Sequence, residues 1–295
     1  MTIRHMIIFR TVCENGYNST KAAEVLHMTQ PAVTRSIQEL EYHYGIQLFE
    51  RLNHKLYKTR LSDEFYSYAL HMTDSFDLME KRFKDQDKLG FLRVGASITL
   101  GNHLMPKALC RLKEEDSSFE IKVMVSNGES LQRALLDNKI DLAFIEGNFS
   151  SDYLCSEPFM KDRLVLIMSP GYELYQKDKI YLRDLIACPL LLREKGSAGR
   201  SFVDHIFESH DLVLNPIWES TSTEALVKAV GSGLGISLLP EQLVKDGLLS
   251  GRIVSRDVEE ESFERTNYIL WHKNKYLTPS INHFISICRE ISEEL

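Results

Sequence analysis

The chain has 295 residues, 43% of them hydrophobic and 26% charged. That is the balance of a folded globular protein; it excludes disordered, collagen-like and purely coiled-coil chains and leaves room for one large domain or two ordinary ones. The net charge of −7 conceals an asymmetry: the first sixty residues hold eight Lys/Arg against five Asp/Glu, a net +3, which leaves −10 for the rest, so a small basic module precedes a large acidic one.

No run approaches the ~18–20 uninterrupted apolar residues of a membrane span. The opening Met1-Thr2-Ile3-Arg4-His5 passes straight into a helical pattern without an apolar signal core, so a cytoplasmic location is expected, with no membrane partner. Cys13, Cys110, Cys155, Cys188 and Cys288 are odd in number and never spaced as C-x-x-C. They read as small buried hydrophobes rather than a disulfide framework or zinc site.

In the basic module, Met6, Ile7, Phe9 and Cys13 recur near helical spacing before Asn15-Gly16, which predicts a first helix from Ile3 to Cys13. Ser19 is placed to cap a second helix, Thr20 to Leu26, whose Ala22 and Ala23 allow another helix to approach closely. After the tight His27-Met28 connection, Thr29 caps a third helix. Pro31 sits in its first turn, Val33, Ile37, Leu40 and Tyr44 share one face, and Gly45 ends it.

Two short helices crossing at alanines are what a helix-turn-helix requires. The outward face of its second member carries Gln30, Pro31, Thr34, Arg35 and Gln38, donors, acceptors and a cation suited to base edges and phosphates in a major groove. The cation-rich alternation from Glu50 to Arg60, around an Asn53-His54 turn, reads as a wing that grips the backbone. The plainer alternative is a three-helix packing domain with a solvated polar face.

From Phe9 to Arg51, and most densely over Lys21 to Glu41 and Gly45 to Arg51, the sequence resembles the LysR-type transcriptional regulators. The resemblance implies a winged helix-turn-helix dimer, usually a dimer of dimers, that binds double-stranded promoter DNA and responds to a small co-inducer. By position it puts Gln30, Pro31, Thr34, Arg35 and Gln38 in the recognition helix and Ser19, Arg51 and Lys55 near phosphates. After the wing the family commonly has Thr-x-x-Gly, whereas this chain reads Thr59-Arg60-Leu61-Ser62.

Ser62 followed by Asp63 and Glu64 is an N-cap with acid in the first turn, and no Gly or Pro intervenes before Gly90, so one long helix is expected. Phe65, Ala69, Met72, Phe76, Met79 and Phe83 follow one another at spacings of 4, 3, 4, 3 and 4, the heptad rhythm of a two-helix seam. At ~37 Å such a helix would overhang a sixty-residue module, which favours dimerisation over a stripe that docks on its own domain.

Beyond Gly90 strands and helices alternate. The first half comprises strands Leu92–Ala96, Glu120–Val125 and Asp141–Ile145 with helices Leu104–Glu115 and Ser130–Leu136. A second half begins at Arg163–Met168 and continues through strand Leu190–Leu192, helix Arg200–Ser209, strand Asn215–Glu219, helix Thr223–Gly231 and strand Gly235–Leu239. Strand Glu264–Trp271 and helix Pro279–Glu293 return to the first half.

The expected architecture is therefore α/β with a helical N-terminal domain. A winged helix-turn-helix occupies residues 1–60, a linker helix 61–89 and a bilobed effector domain 90–295, with lobes 90–161 plus 265–295 and 162–264. The segments Phe91 to Ser97 and Asp141 to Gly147 resemble LysR-type effector domains, which implies the periplasmic-binding-protein fold.

Polar turns at strand ends that open helices can bind anions. Four occur, supplying Ser97 and Thr99, Ser130, Gly196 and Ser197, and Thr221 as candidate effector ligands; each alone is more simply a cap. The run Leu192 to Arg200 resembles the Arg-Glu-x-Gly-Ser-Gly-Thr-Arg segment of one LysR-type subgroup, whose members include regulators of sulfur assimilation and carbon fixation, which implies a small anionic effector. Ala198-Gly199 stands where Gly-Thr is usual, removing one hydroxyl. If it faces the cleft, Glu146 would repel a fully ionised anion unless protonated or paired, or else favour an effector with a donor group; pointing to water, it would do neither.

Other signals are discounted. Gly231 to Gly235 follows a helix and leads into a strand, the reverse of a dinucleotide loop, and Asn148-Phe149-Ser150 matches a glycosylation acceptor in a chain expected to stay in the cytoplasm. The ten histidines lack ligand spacing, and no G-x-S-x-G elbow or Walker loop is present. No cofactor, metal or catalytic residue is assigned. The expected protein is a ligand-controlled DNA-binding regulator, with RNA polymerase as a further contact and a homodimer or homotetramer as its state. The alternatives are a regulator with a vestigial cleft and an α/β enzyme with an N-terminal interaction module.

Overall fold

The computed structural model describes residues 1–52, 55–84, 91–117, 119–147 and 151–294. Two compact units emerge, 1–90 with 274–276 and 91–273 with 277–295. Among the described residues no helix is long and apolar enough to cross a membrane.

The N-terminal unit contains α1 (Ile3–Glu14), α2 (Ser19–Val25), α3 (Gln30–Tyr44), β1 (Phe49–Leu52), β2 (Lys55–Lys58) and α4 (Arg60–Lys84). Phe9, Val12, Ala22, Ala23, Val33, Ile37, Leu40 and Leu48 make its core, with the alanines at the α2–α3 crossing as their size requires. The cap of α2 is Asn18, not Ser19: its carboxamide oxygen accepts from the Thr20 and Lys21 amides at 3.0 and 3.1 Å. Thr29 holds the cap position of α3 without a side-chain capping bond. Gly45, at φ +64°, ends α3 in the left-handed conformation that glycine adopts without strain.

The β1–β2 ribbon is antiparallel and in register from Phe49↔Lys58 to Leu52↔Lys55; its expected turn, Asn53-His54, lies outside the described residues. Glu41 fastens the ribbon to α3, accepting the Leu48 and Phe49 amides at 2.8 and 2.9 Å. The long helix starts two residues before the expected cap. Thr59 caps it, its hydroxyl accepting the Ser62 amide at 3.3 Å, and Ser62 is buried with its own hydroxyl unpartnered among the described residues.

The expected dimer seam needs correction. Phe65 packs edge-on against Phe9 at 5.0 Å, and Ala69 is buried in the same core, because α4 lies against α1 over its first half. Met72 and Met79 are exposed and Phe76 is half-buried; the Phe83 side chain lies outside the described residues. Among the described side chains, the exposed large apolar residues of α4 are Leu61, Tyr68, Met72 and Met79, which at seven, four and seven residues apart share one face.

The C-terminal unit runs β3 (Phe91–Ala96), α5 (Ile98–His103), α6 (Met105–Glu115), β4 (Glu120–Val125), α7 (Gly128–Leu136), β5 (Leu142–Glu146), β6 (Leu154–Met168), α8 (Leu182–Ile186), β7 (Leu190–Arg193), α9 (Ala198–Ser209), β8 (Pro216–Ser220), α10 (Thr223–Gly231), β9 (Ser237–Pro240), α11 (Glu241–Leu249), β10 (Val254–Arg256), β11 (Glu264–His272) and α12 (Pro279–Glu293). Short α5, α8, α11 and β10 had no distinct sequence signal.

The main sheet is ordered β10-β6-β11-β5-β3-β4, with β9 also on β6. β3 runs parallel to β4 and β5, and β11 antiparallel to β5 and β6. The fifteen-residue β6 exceeds the expected strand because it serves both lobes: residues 154–163 pair with β11, and 164–168 with β9 and β10. The first lobe is packed around Val94, Phe144, Ile269 and Phe284, so β11 and α12 return to it. The second is packed around Leu166, Leu190, Phe207 and Leu238. Gly235 marks a close approach at the start of β9, where a Cβ would lie 2.2 Å from the Pro189 carbonyl oxygen.

Candidate functional site

On the N-terminal unit, α3 presents Gln30, Pro31, Arg35 and Gln38 to solvent, with Thr34 half-buried. The Gln30 carboxamide donates to the Ser19 hydroxyl at 3.2 Å and to the Thr34 hydroxyl at 3.0 Å, so the two helices offer a connected polar edge. Arg35 is largely exposed and pairs with Glu39 one turn on at 2.9 Å; such a surface pair holds its cation weakly enough for a phosphate or a guanine edge to compete. Bonds from His5 and Arg35 hold the exposed Glu39 below the usual carboxylate range. Arg51 is exposed on β1. The Lys55 side chain lies outside the described residues. Lys58 is occupied by Asp63 at 2.8 Å.

In the C-terminal unit the turns after β3, β4 and β7 meet. Ser97 caps α5, Asn127 caps α7 and Ser197 caps α9. They enclose a cavity of about 30 Å³ lined by Ser97, Thr99, Ser126, Asn127, Gly128, Glu146, Arg193, Ser197, Gly199 and Arg265, among others. That volume admits about two waters. Of the expected ligands, Ser97, Thr99, Glu146 and Ser197 line it; Ser130, Gly196 and Thr221 do not. Ser130 lies three residues past the Asn127 cap, and Gly196 and Thr221 are exposed.

Arg265 and Asn267 escaped the sequence reading. Both occupy buried positions of β11 in phase with Ile269; polar residues on the buried phase of an alternating strand were the available signal. Arg265 gives two bonds to Asp162, each 2.7 Å. Arg193 is likewise buried and gives two to Glu194, at 2.8 and 3.1 Å. Arg200, at the end of the quoted run, is structural. It donates to the Arg193 carbonyl at 3.0 Å and to Glu219 and Asp204 at 2.7 and 2.8 Å, and these acids outweigh burial to raise its pKa.

A larger open depression of about 820 Å³ lies on the second lobe beside Tyr172, Lys177 and Cys188. Burial pushes the Cys188 thiol up, which leaves it a poor nucleophile. Cys13 is pushed up to about 12 and Cys288 upward by burial. Cys110, read from sequence as buried, is exposed.

A winged helix-turn-helix unit and a two-lobed α/β unit enclosing a polar cavity define a ligand-responsive DNA-binding regulator. Residues 3–64 match the model of the bacterial regulatory helix-turn-helix protein, lysR family, and residues 85–292 that of the LysR substrate binding domain. The chain belongs to the LysR family of transcriptional regulators, with a DNA-binding domain and an effector-binding domain. It is 31% identical over 288 residues to the uncharacterized HTH-type transcriptional regulator YeiE of Escherichia coli (strain K12), covering 98% of this chain and 97% of that one.

Among solved structures, a full-length OxyR variant from Pseudomonas aeruginosa superposes with a TM-score of 0.68 at 22% identity, covering 99% of this chain and 95% of that one. The regulatory domain of Synechocystis PCC6803 CcmR, in complex with 2-PG, does so at 0.64 and 24% identity, covering 70% and 99%. At these identities the two structures establish likeness of fold.

Proposed function

We propose that Gln30, Pro31, Thr34, Arg35 and Gln38 read a promoter through the major groove, that Ser19 and Arg51 contact phosphates, and that a small anion held by Ser97, Thr99 and Ser197 controls this binding. The cavity carries the effector half of the reading: hydroxyls from separate turns converge with the N-termini of α7 and α9 on one space between lobes. A similar regulatory domain, that of CcmR, holds 2-PG, which supports a ligand-binding rather than a vestigial cleft. The protein acts in the cytoplasm as a homodimer or a pair of dimers joined along α4, with RNA polymerase as its further contact.

The DNA half is tested on a duplex selected by the unmodified protein. Arg35→Ala weakens binding to it by ~1–3 kcal/mol if the side chain reads a base. Arg51→Ala weakens binding to all duplexes alike and lowers the slope of log affinity against log salt by about one. An unchanged affinity in both variants removes these assignments.

A further inference from the structure

The inner wall of the cleft holds an unequal division of charge. Of the two buried cations that line the cavity, Arg193 is bonded to Glu194, and Arg265 faces two carboxylates. Asp162 takes both of its bonds at 2.7 Å, while Glu146 comes no nearer than 3.7 Å. Burial works against the Arg265 charge, but the Asp162 bonds and the two carboxylate charges outweigh it and raise its pKa. Glu146 is 4% exposed, lines the cavity and takes no hydrogen bond from any described residue. Directly across the β5–β11 ladder from it stands Asn267. This residue is 0% exposed, and neither its amide nitrogen nor its carbonyl oxygen has a partner among the described residues.

A buried carboxylate can only accept hydrogen bonds when ionised, and one left without donors is costly. Water in the cavity can supply a donor while the site is empty, and a ligand that displaces this water must bring one of its own. The rest of the wall is built for negative charge, with the Arg193 guanidinium, the Ser97 and Thr99 hydroxyls and the amides opening α7 and α9.

We propose, resting on the reading of this cleft as the effector site, that Glu146 makes it selective for a small anion that itself carries a hydrogen-bond donor. A protonated oxyanion and a zwitterion share that chemistry. A fully ionised oxyanion of the same shape sets lone pairs against the Glu146 oxygens and is excluded; a donor at that point turns repulsion into a charge-assisted bond. The volume of about 30 Å³ confines the ligand to a few heavy atoms in this conformation.

Inorganic phosphate and sulfate are the discriminating pair, alike in shape and size, with a proton retained at neutral pH only by phosphate. Glycine represents the zwitterion. Calorimetric titration of the full-length protein at pH 7 and fixed ionic strength should show phosphate or glycine binding at least ~100-fold more tightly than sulfate, because a site built around one hydrogen bond rejects the analogue that lacks it. Glu146→Gln, whose amide can donate, should bring sulfate within ~10-fold of phosphate. Phosphate binding without glycine identifies a protonated oxyanion, and the converse a zwitterion.

Equal affinity of the unmodified protein for sulfate and phosphate overturns the selectivity while leaving the cleft reading intact. Thr99→Val, nearly isosteric at a hydroxyl that borders the cavity, locates the binding and should weaken it by about tenfold. A ligand indifferent to both substitutions binds elsewhere, and no binding by any of the three removes the cleft reading itself; either result overturns the proposal.

Discussion

At Ser62 a single hydroxyl shows how the chain departs from the family it belongs to. The side chain is buried in the first turn of α4, and its oxygen has no partner among the described residues. A buried unpaired hydroxyl costs stability, and serine is a poorer helix former than alanine. Ser62→Ala should therefore stabilise the N-terminal unit by about 1 kcal/mol, read as a higher urea midpoint for its unfolding; a lower midpoint would mean that the hydroxyl has a role. The same spot shows the resolution of sequence reading. Thr59 and Ser62 are both competent caps, as are Asn18 and Ser19, and only the path of the backbone decides which one accepts the free amides. Arg265 and Asn267 were hidden for a different reason: their significance depends on Glu146 and Asp162, more than a hundred residues away, arriving on adjacent strands.

At the scale of elements, the helix-turn-helix was legible because its periodicity, alanine crossing and Gly45 stop are all local. Phe65 and Ala69 of the expected seam were not recognisable as core because a heptad stripe looks the same whether it meets a partner or its own domain. Phe65 and Ala69 are committed to the core around Phe9, while Leu61, Tyr68, Met72 and Met79 form the exposed face. The two faces predict separable effects. Met72→Glu combined with Met79→Glu should shift the protein toward monomer in sedimentation equilibrium with little loss of monomer stability. Phe65→Ala should cost ~2–4 kcal/mol of folding stability and leave the oligomeric state alone. If the double glutamate variant sediments like the parent, the exposed face of α4 is not the seam.

Another element-level tie has a pH signature. Arg163 on β6 donates twice to Glu241 at the start of α11, each bond 2.8 Å, and these bonds, against the effect of burial, hold the Glu241 carboxyl below its ordinary value of 4.5. A carboxylate depressed in the folded state binds fewer protons there than in the unfolded chain. Its contribution is thus complete above about pH 4.5 and disappears as pH falls through the lowered value. Both side chains are substantially exposed, so the effect is small. Glu241→Gln should lower the denaturant midpoint slightly at pH 7, and the gap from the parent should close below pH 4.5. A gap that does not narrow as the pH falls below 4.5 would assign the loss to something other than this charge.

Over the whole molecule, the charge division separates two tasks: the +3 of the first sixty residues faces a polyanion, whereas the remaining −10 is spread over the linker helix, with −3 in residues 61–89, and the part that senses the small ligand, with −7. A regulator needs the two to be linked, and linkage is reciprocal. If the effector changes DNA affinity by some factor, DNA changes effector affinity by the same factor, with factors of ~5–150 typical of such couplings. The cleft between the lobes supplies a physical element for the coupling, because a ligand that touches both lobes favours one spacing of them over another. Whatever shifts the balance between those spacings must therefore shift ligand affinity. The expected outcome is a closed thermodynamic cycle: anion affinity measured with and without saturating selected duplex changes by the factor found for DNA affinity with and without saturating anion. In Thr99→Val both factors should shrink together. Equal anion affinity in the presence and absence of DNA, with the anion bound in the cleft, would make this protein a sensor whose ligand does not govern its grip on the promoter, and control would then have to pass through assembly or polymerase contact.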